Sequence, residues 1–259
     1  MRITVLGSGG PVPYSNRSST SVLAELDGRH FLVDCGPGAG LRLSQAGVQP
    51  GQIEAILLTH LHMDHCHELP AIAFGAMLSG KTRNLSVYAP AGIRDLHSLF
   101  FEKAYPYLVP LAKQVTSSEM QLSYHDLSEG AVMAWNGFAI AAKRVQHGNM
   151  ETYGFRLSSR SGALTISGDT VACPAVIDLA KGSHTLIQDC ALPDAFAGNP
   201  IHATPTDVAR IAHESGVKRV VLTHMLPECK GKEEEMLASV RRGYAGEVLL
   251  GEDLMVLEV

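Results

Sequence analysis

Charge, aromatic side chains and cysteine are all scarce in this 259-residue chain, and each scarcity removes a class of protein. Charged residues make up 18% and aromatic ones 6%, with a single tryptophan, whereas 46% of the residues are apolar. That balance is too apolar for a disordered segment, and no Gly or Leu period marks a collagen or a coiled coil. Basic residues are fewer than acidic ones, 21 against 26, for a formal net charge of −5. Proteins that hold nucleic acid mainly by counterion release are usually basic, so such a partner would need a local patch here. The five cysteines (Cys35, Cys66, Cys173, Cys190 and Cys229) are odd in number and contain no Cys-x-x-Cys pair. This argues against a disulfide framework and for reduced thiols in a cytoplasmic protein. Long hydrophobic runs are missing too. The apolar stretch before Gly7 is too short for a signal-peptide core, and no segment approaches a membrane span. No linker, low-complexity tract or charge run divides the chain, which reads as one domain over residues 1–259.

What is present is a series of short apolar runs that end in polar residues. Ile3–Leu6, Ser21–Leu26 and Phe31–Val33 read as strands, the last two joined at Asp27-Gly28. A short helix over Gly38–Ala46 stops at Gly47. Ile53–Leu58 is continuously apolar, as expected of a strand buried on both faces. Pro70 suits the first turn of a helix running towards Ser79-Gly80. Phe100–Val115 reads as helix and loop packed on the core, with a substrate lid or a dimer contact as alternatives. Tyr153–Leu157 and Ala163–Ile166 form a hairpin leading into Ser167-Gly168-Asp169-Thr170. Thr185–Gln188 leads into Asp189, and Arg219–Leu222 into Thr223-His224. Thr204, Pro205 and Asp207 make a helix start. Ala55–Leu61 and Arg219–Met225 echo each other, an apolar strand ending in Thr-His. That echo predicts a duplicated sheet sandwich with polar strand ends along one edge, where ligand sites of α/β sheets form.

The strand at 53–58 delivers His60, His62, Asp64 and His65, an H-x-H-x-D-H motif. In extended backbone His60 and His62 share a side, and Asp64 and His65 must then turn away. One loop thus supplies two neighbouring metal positions whose nitrogen and oxygen donors suit Zn²⁺, with Mn²⁺ or Fe²⁺ as alternatives. Two ions need further ligands, one a bridging carboxylate. His147, Asp169 and His224, each placed after a strand, are the candidates.

These features resemble the metallo-β-lactamase superfamily, and within it the branch of tRNase Z and its phosphodiesterase relatives. The matching residues are Gly7–Gly10, Arg17 with Ser19 and Ser21, Val33–Gly36, Thr59–His65, His147 with Tyr153–Phe155, Ser167–Thr170, Ile201–Thr204 and Leu222–His224. The resemblance implies an α/β fold, a four-layer αββα sandwich. It implies one metal on His60, His62 and His147, a second on Asp64, His65 and His224, and Asp169 bridging them. A metal-bridging hydroxide would be the nucleophile, with Asp64 orienting it. His202, in His202-Ala203-Thr204, would protonate the leaving group, and Asp189 would orient His202. Asp34 is expected to steady the metal loop, and no ligand role falls to Cys66 or His67.

Full tRNase Z enzymes carry a basic arm between the residues matching His147 and Asp169, and here the interval holds a hairpin only. Long tRNA is therefore not the expected partner. The expected substrate is a small molecule or a short phosphodiester, with Met63 narrowing the mouth and the aromatic segment Phe100–Tyr107 as its wall. The alternatives are an arylsulfatase-like enzyme or a lactonase or other acyl-ester hydrolase on the same metals, and a non-catalytic binding protein that keeps the fold. The resemblance also implies a homodimer.

Overall fold

The strand residues sort by period two into three apolar layers. In the first sheet Val5, Val22, Ala24, Phe31, Val33, Ala55 and Leu57 face a central core. Their neighbours Leu6, Leu23, Leu32 and Ile56 face a second core on the opposite side. The second sheet divides the same way: Ile187 and Val221 point to the central core, Leu186, Val220 and Leu222 to a third. Alternation of this kind requires both sheets to be covered on both faces.

The computed structural model describes residues 1–14, 16–128, 130, 132–135 and 137–259. Its first sheet contains β1 (Arg2–Gly7), β2 (Ser21–Leu26), β3 (Arg29–Val33), β4 (Ile53–Leu57), β5 (Leu85–Ala89) and β6 (Leu122–Asp126) in that spatial order. The second runs through β7 (Val132–Trp135), β8 (Phe138–His147), β9 (Met150–Ser159), β10 (Ala163–Ile166), β11 (Thr185–Asp189), β12 (Arg219–Thr223) and β13 (Glu247–Leu250). The last strand, β14 (Met255–Glu258), returns to flank β1, pairing Ile3 with Leu257. Helices α1 (Ala39–Gln45), α2 (Met63–Cys66), α3 (Leu69–Leu78), α4 (Ile93–His97) and α5 (Leu108–Thr116) belong to the first half. Helices α6 (Pro174–Ala180), α7 (Pro205–Ser215) and α8 (Glu233–Gly243) belong to the second. Residues of α1, α3 and α5 complete the outer core of the first sheet, and those of α6, α7 and α8 that of the second. The architecture is the expected αββα sandwich.

Local signals act where the sequence placed them. Thr204 and Asp207 close the start of α7, the Thr204 hydroxyl donating to Asp207 Oδ2 at 2.9 Å. The Glu68 carboxylate accepts the Gly38 and Gly40 amides at 2.6 Å each, which ties α1 to the start of α3. Phe100–Val115 is a π-helical turn over Ser98–Ala104 followed by α5, with Phe101 buried in the outer core. All five cysteines are free and buried. Among the described residues no helix is long and apolar enough to cross a membrane.

Strand polarity sets the position of the site. β4 runs parallel to β3, and β10, β11 and β12 run parallel to one another. β8 and β10 are both antiparallel to β9, so β8 ends on the same side as β10. The polar residues following β3, β4, β8, β10, β11 and β12 therefore meet along one edge of the sandwich.

Candidate metal centre

Two groups of donor atoms lie on that edge, with a third, Asp169, His202 and His224, overlapping them; the atoms of each lie within 4.8 Å of one another. The first combines His60, His62, His147 and Asp169; the second combines Asp64, His65 and His224. In the first, His62 Nδ1 lies 2.9 Å from His60 Nε2 and 3.4 Å from His147 Nε2. Asp169 Oδ2 is 3.8 Å from both of those Nε2 atoms. In the second, His224 Nε2 lies 3.3 Å from His65 Nε2 and 3.2 Å from Asp64 Oδ2. Asp169 also faces this group, with Oδ2 3.1 Å from His224 Nε2 and Oδ1 3.4 Å from His65 Nε2. All seven residues singled out in the sequence are thus brought together, with Asp169 between the groups.

The chemistry and dimensions of this donor set fit divalent ions. Tetrahedral coordination with arms of about 2.1 Å separates donors by about 3.4 Å, within the 2.9 to 3.8 Å spread of the distances above. Burial and the neighbouring His65 ring hold His60 well below the usual imidazole range, and burial with the His147 ring lowers His62, which favours neutral rings with free lone pairs. Burial works against ionised Asp64 and Asp169, but the surrounding histidines prevail and keep both carboxylates charged. Burial likewise opposes charge on His65 and His224, yet Asp169 raises both. Carboxylates that demand positive charge this strongly are met equally by a cation.

Each ring is aimed by what holds its far nitrogen. His65 Nδ1 donates to Asp34 Oδ2 at 2.8 Å, and His147 Nδ1 donates to the Ile201 carbonyl at 2.7 Å. His60 Nδ1 lies 3.0 Å from the Thr59 hydroxyl. His224 differs: its Nδ1 is buried without a hydrogen bond among the described residues, and its backbone is left-handed at φ 64°. Helix α2 makes the turn that the sequence required between His62 and Asp64. It passes so close to Gly36 that a Cβ there would lie 1.9 Å from the Asp64 carbonyl, so no other residue fits.

Asp34 is the pivot of this arrangement. It is 1% exposed, also left-handed (φ 58°), and accepts from the Thr59 amide at 2.7 Å and the Thr59 hydroxyl at 2.8 Å. Asp34→Ala would strand the Thr59 amide and His65 Nδ1 in the interior, at about 1–3 kcal/mol each. The expected result is an unfolding free energy lowered by about 2–6 kcal/mol and metal affinity weakened roughly 10–100-fold. An unfolding free energy equal to the wild type would reduce Asp34 to an ordinary turn residue.

His202 stands between the two groups, its ring centroid 5.1 Å from that of His147 and 5.0 Å from that of His224. Its Nδ1 is 3.0 Å from Asp189 Oδ2, which also accepts the Thr170 amide at 3.0 Å. Burial opposes a charged ring, but Asp189 overrides it and lifts the pKa to about 9. The cavity over these groups measures about 500 Å³ and is lined by His62, Asp64, His147, Asp169, His202 and His224, with Pro11, Gly148, Asn149, Met150 and Ile201 around them.

Two expectations need correction here. Met63 does not narrow this mouth: α2 turns Asp64 and His65 inward, and Met63 is left 69% exposed outside the cavity. The aromatic segment is not its wall either. Phe100, Tyr105 and Tyr107 line a separate cavity with His67 and Phe74, because Phe101 anchors the segment on the outer helix layer. Neither Cys66 nor His67 belongs to a donor group. Sequence reasoning missed Pro11, the Thr59 side chain and Asn199. Only Asn199, in Gly198-Asn199-Pro200, carried a signal, that of a turn residue able to bond its own backbone.

Comparison with known proteins agrees with this geometry. The sequence profile of the family described as "Anti-Pycsar protein Apyc1" matches residues 1–240. A ribonuclease Z from Mycobacterium sp. (strain KMS) is 29% identical over 275 aligned positions, spanning 100% of this chain and 96% of the relative. The short form of human tRNase Z superposes with a TM-score of 0.78 at 25% identity, over 100% of this chain and 99% of that one. The metallo-β-lactamase fold protein YhfI from Bacillus subtilis superposes at 0.82 with 20% identity, over 100% and 99% of the two chains. The chain therefore belongs to the family of the anti-Pycsar protein Apyc1, a hydrolase family member within the tRNase Z-like branch of the metallo-β-lactamase superfamily.

Proposed function

We propose that the chain is a dinuclear zinc phosphodiesterase acting on a small or short phosphodiester. The observation that carries this reading is His202, a buried histidine held by Asp189 beside seven metal-type donors. An alkoxide is a poor leaving group from phosphorus, and a cationic imidazole beside it supplies the proton it needs. The relatives named ribonuclease Z point the same way, since RNA is a phosphodiester chain. His60, His62 and His147 would hold one ion, Asp64, His65 and His224 the other, and Asp169 both. Such ions, when bound, supply Lewis acidity and draw the pKa of water towards neutrality. Asp64 accepts a hydrogen bond from the attacking water and points its lone pair at phosphorus. His202 gives its proton to the departing oxygen and is held through the step by Asp189.

A short substrate is favoured because His147 and Asp169 are separated by β9 and β10 alone, with no arm to grip a long RNA. The net charge of −5 acts in the same direction. The test is hydrolysis of bis(p-nitrophenyl) phosphate by zinc- or manganese-loaded protein, beside that of p-nitrophenyl phosphate. Diester turnover well above monoester turnover is the expected result. A protein that holds two ions and cleaves no diester would overturn the reading and direct the search to sulfate or acyl esters.

A further inference from the structure

We propose that Ile201 and the β8–β9 turn, Gly148 to Met150, form the subsite for the leaving group, selecting an uncharged flat group on a singly charged diester. This rests on the phosphodiesterase reading above. Ile201 is fastened to the catalytic groups on both sides. Its carbonyl accepts from His147 Nδ1 at 2.7 Å, and the next residue is His202. Asn199 clamps the pair, with Oδ1 accepting the Ile201 amide at 3.1 Å and the His202 amide at 2.8 Å, and Nδ2 donating to the His202 carbonyl at 2.8 Å. So firmly held, the Ile201 side chain still stands 40% exposed at the cavity. Gly148, at φ 53°, allows the turn to pack against it: a Cβ there would lie 3.1 Å from Ile201 Cγ2.

The wall next to the proton donor is thus a branched aliphatic face, an adaptable methionine and one carboxamide. It offers contact to a planar group and a hydrogen bond to its edge. Pro11 lines the other end, following Gly10, whose backbone packs on the His224 ring. No lysine or arginine among the described residues lines the cavity. The His202 ring and the proposed ions serve the reacting diester, so a second anionic group would lie among Asp64, Asp169 and apolar side chains with no lysine or arginine to offset its desolvation. The reactive diester is the only anion for which the site provides.

The experiment compares thymidine 5′-(p-nitrophenyl phosphate) with thymidine 5′-(3-carboxy-4-nitrophenyl phosphate), whose departing group is equally flat but anionic, using zinc-loaded full-length protein. Wild type is expected to favour the uncharged departing group by about tenfold or more in kcat/KM. Met150→Lys is expected to narrow that preference to about threefold or less by supplying the missing cation. Ile201→Ala is expected to raise KM about tenfold with kcat within about twofold, and Ile201→Val to restore KM. Metal content and melting temperature of each variant report on folding. Equal kcat/KM for the two compounds, or a wild-type KM in folded Ile201→Ala, would overturn the subsite while leaving the phosphodiesterase reading intact. No turnover of either compound by the metal-loaded protein would overturn both.

Discussion

Asp169→Asn is expected to cost at least one ion and abolish activity while leaving the fold in place. The change keeps the shape of the side chain and removes its charge, and that carboxylate faces both sets of donors. Metal analysis after dialysis should fall from two equivalents to one or fewer, and diester hydrolysis should fall below detection. Stability carries a second signature with a definite sign. Asp169 is 3% exposed, but the surrounding histidines hold its pKa well below the usual carboxylate range, so its charge supports the folded chain even without a cation. In chelator, the asparagine variant should therefore melt below the wild-type temperature, because His65 and His224 lose the charge that favours their protonated forms. Added zinc should raise the melting temperature of the wild type only, because a ligand stabilises what binds it. A variant that keeps two ions and full activity would remove Asp169 from the centre.

His202→Ala is expected to do the opposite: both ions stay, and turnover falls roughly 10²–10⁴-fold. The pH profile identifies the cause. A proton donor must be charged to act, so the rate is lost as pH rises through the pKa of the ring. Asp189 lifts that pKa to about 9, and the two dications proposed for the site would repel the proton and bring it down from there. Wild type should show an alkaline limb below pH 9 that is missing from the alanine variant. Asp189→Asn should move the limb to lower pH, since it removes the charge that favours the imidazolium. Parallel limbs in wild type and His202→Ala would assign the titration to another group.

The metal loop was legible because its four donors fall within six residues, so spacing alone carries the chemistry. His147, Asp169 and His224 were legible for another reason: each follows an apolar run, and strand ends of an α/β sandwich share an edge. What escaped reading depends on packing across that edge. Thr59 and Thr223 occupy equivalent places in the two Thr-His repeats, yet Thr59 bonds to Asp34 whereas the Thr223 hydroxyl donates to the Gln188 carbonyl at 3.3 Å. No pattern within either strand distinguishes them. The strand β6 was missed because it is half-exposed along its length and shows no alternation. The aromatic segment was misplaced because composition states that aromatics will cover something, and only topology decides what.

Each donor group draws on both sheets. His60 and His62 follow β4 while His147 and Asp169 follow β8 and β10; Asp64 and His65 follow β4 while His224 follows β12. An ion in either place is therefore a rivet through the seam of the sandwich, in the mechanical sense that neither half can slide or tilt without breaking a coordination bond. The catalytic edge and the joint between the halves are one and the same structure. Reagents that strip the metal would thus loosen the molecule along its mid-plane first, while each helix layer remains fastened to its own sheet.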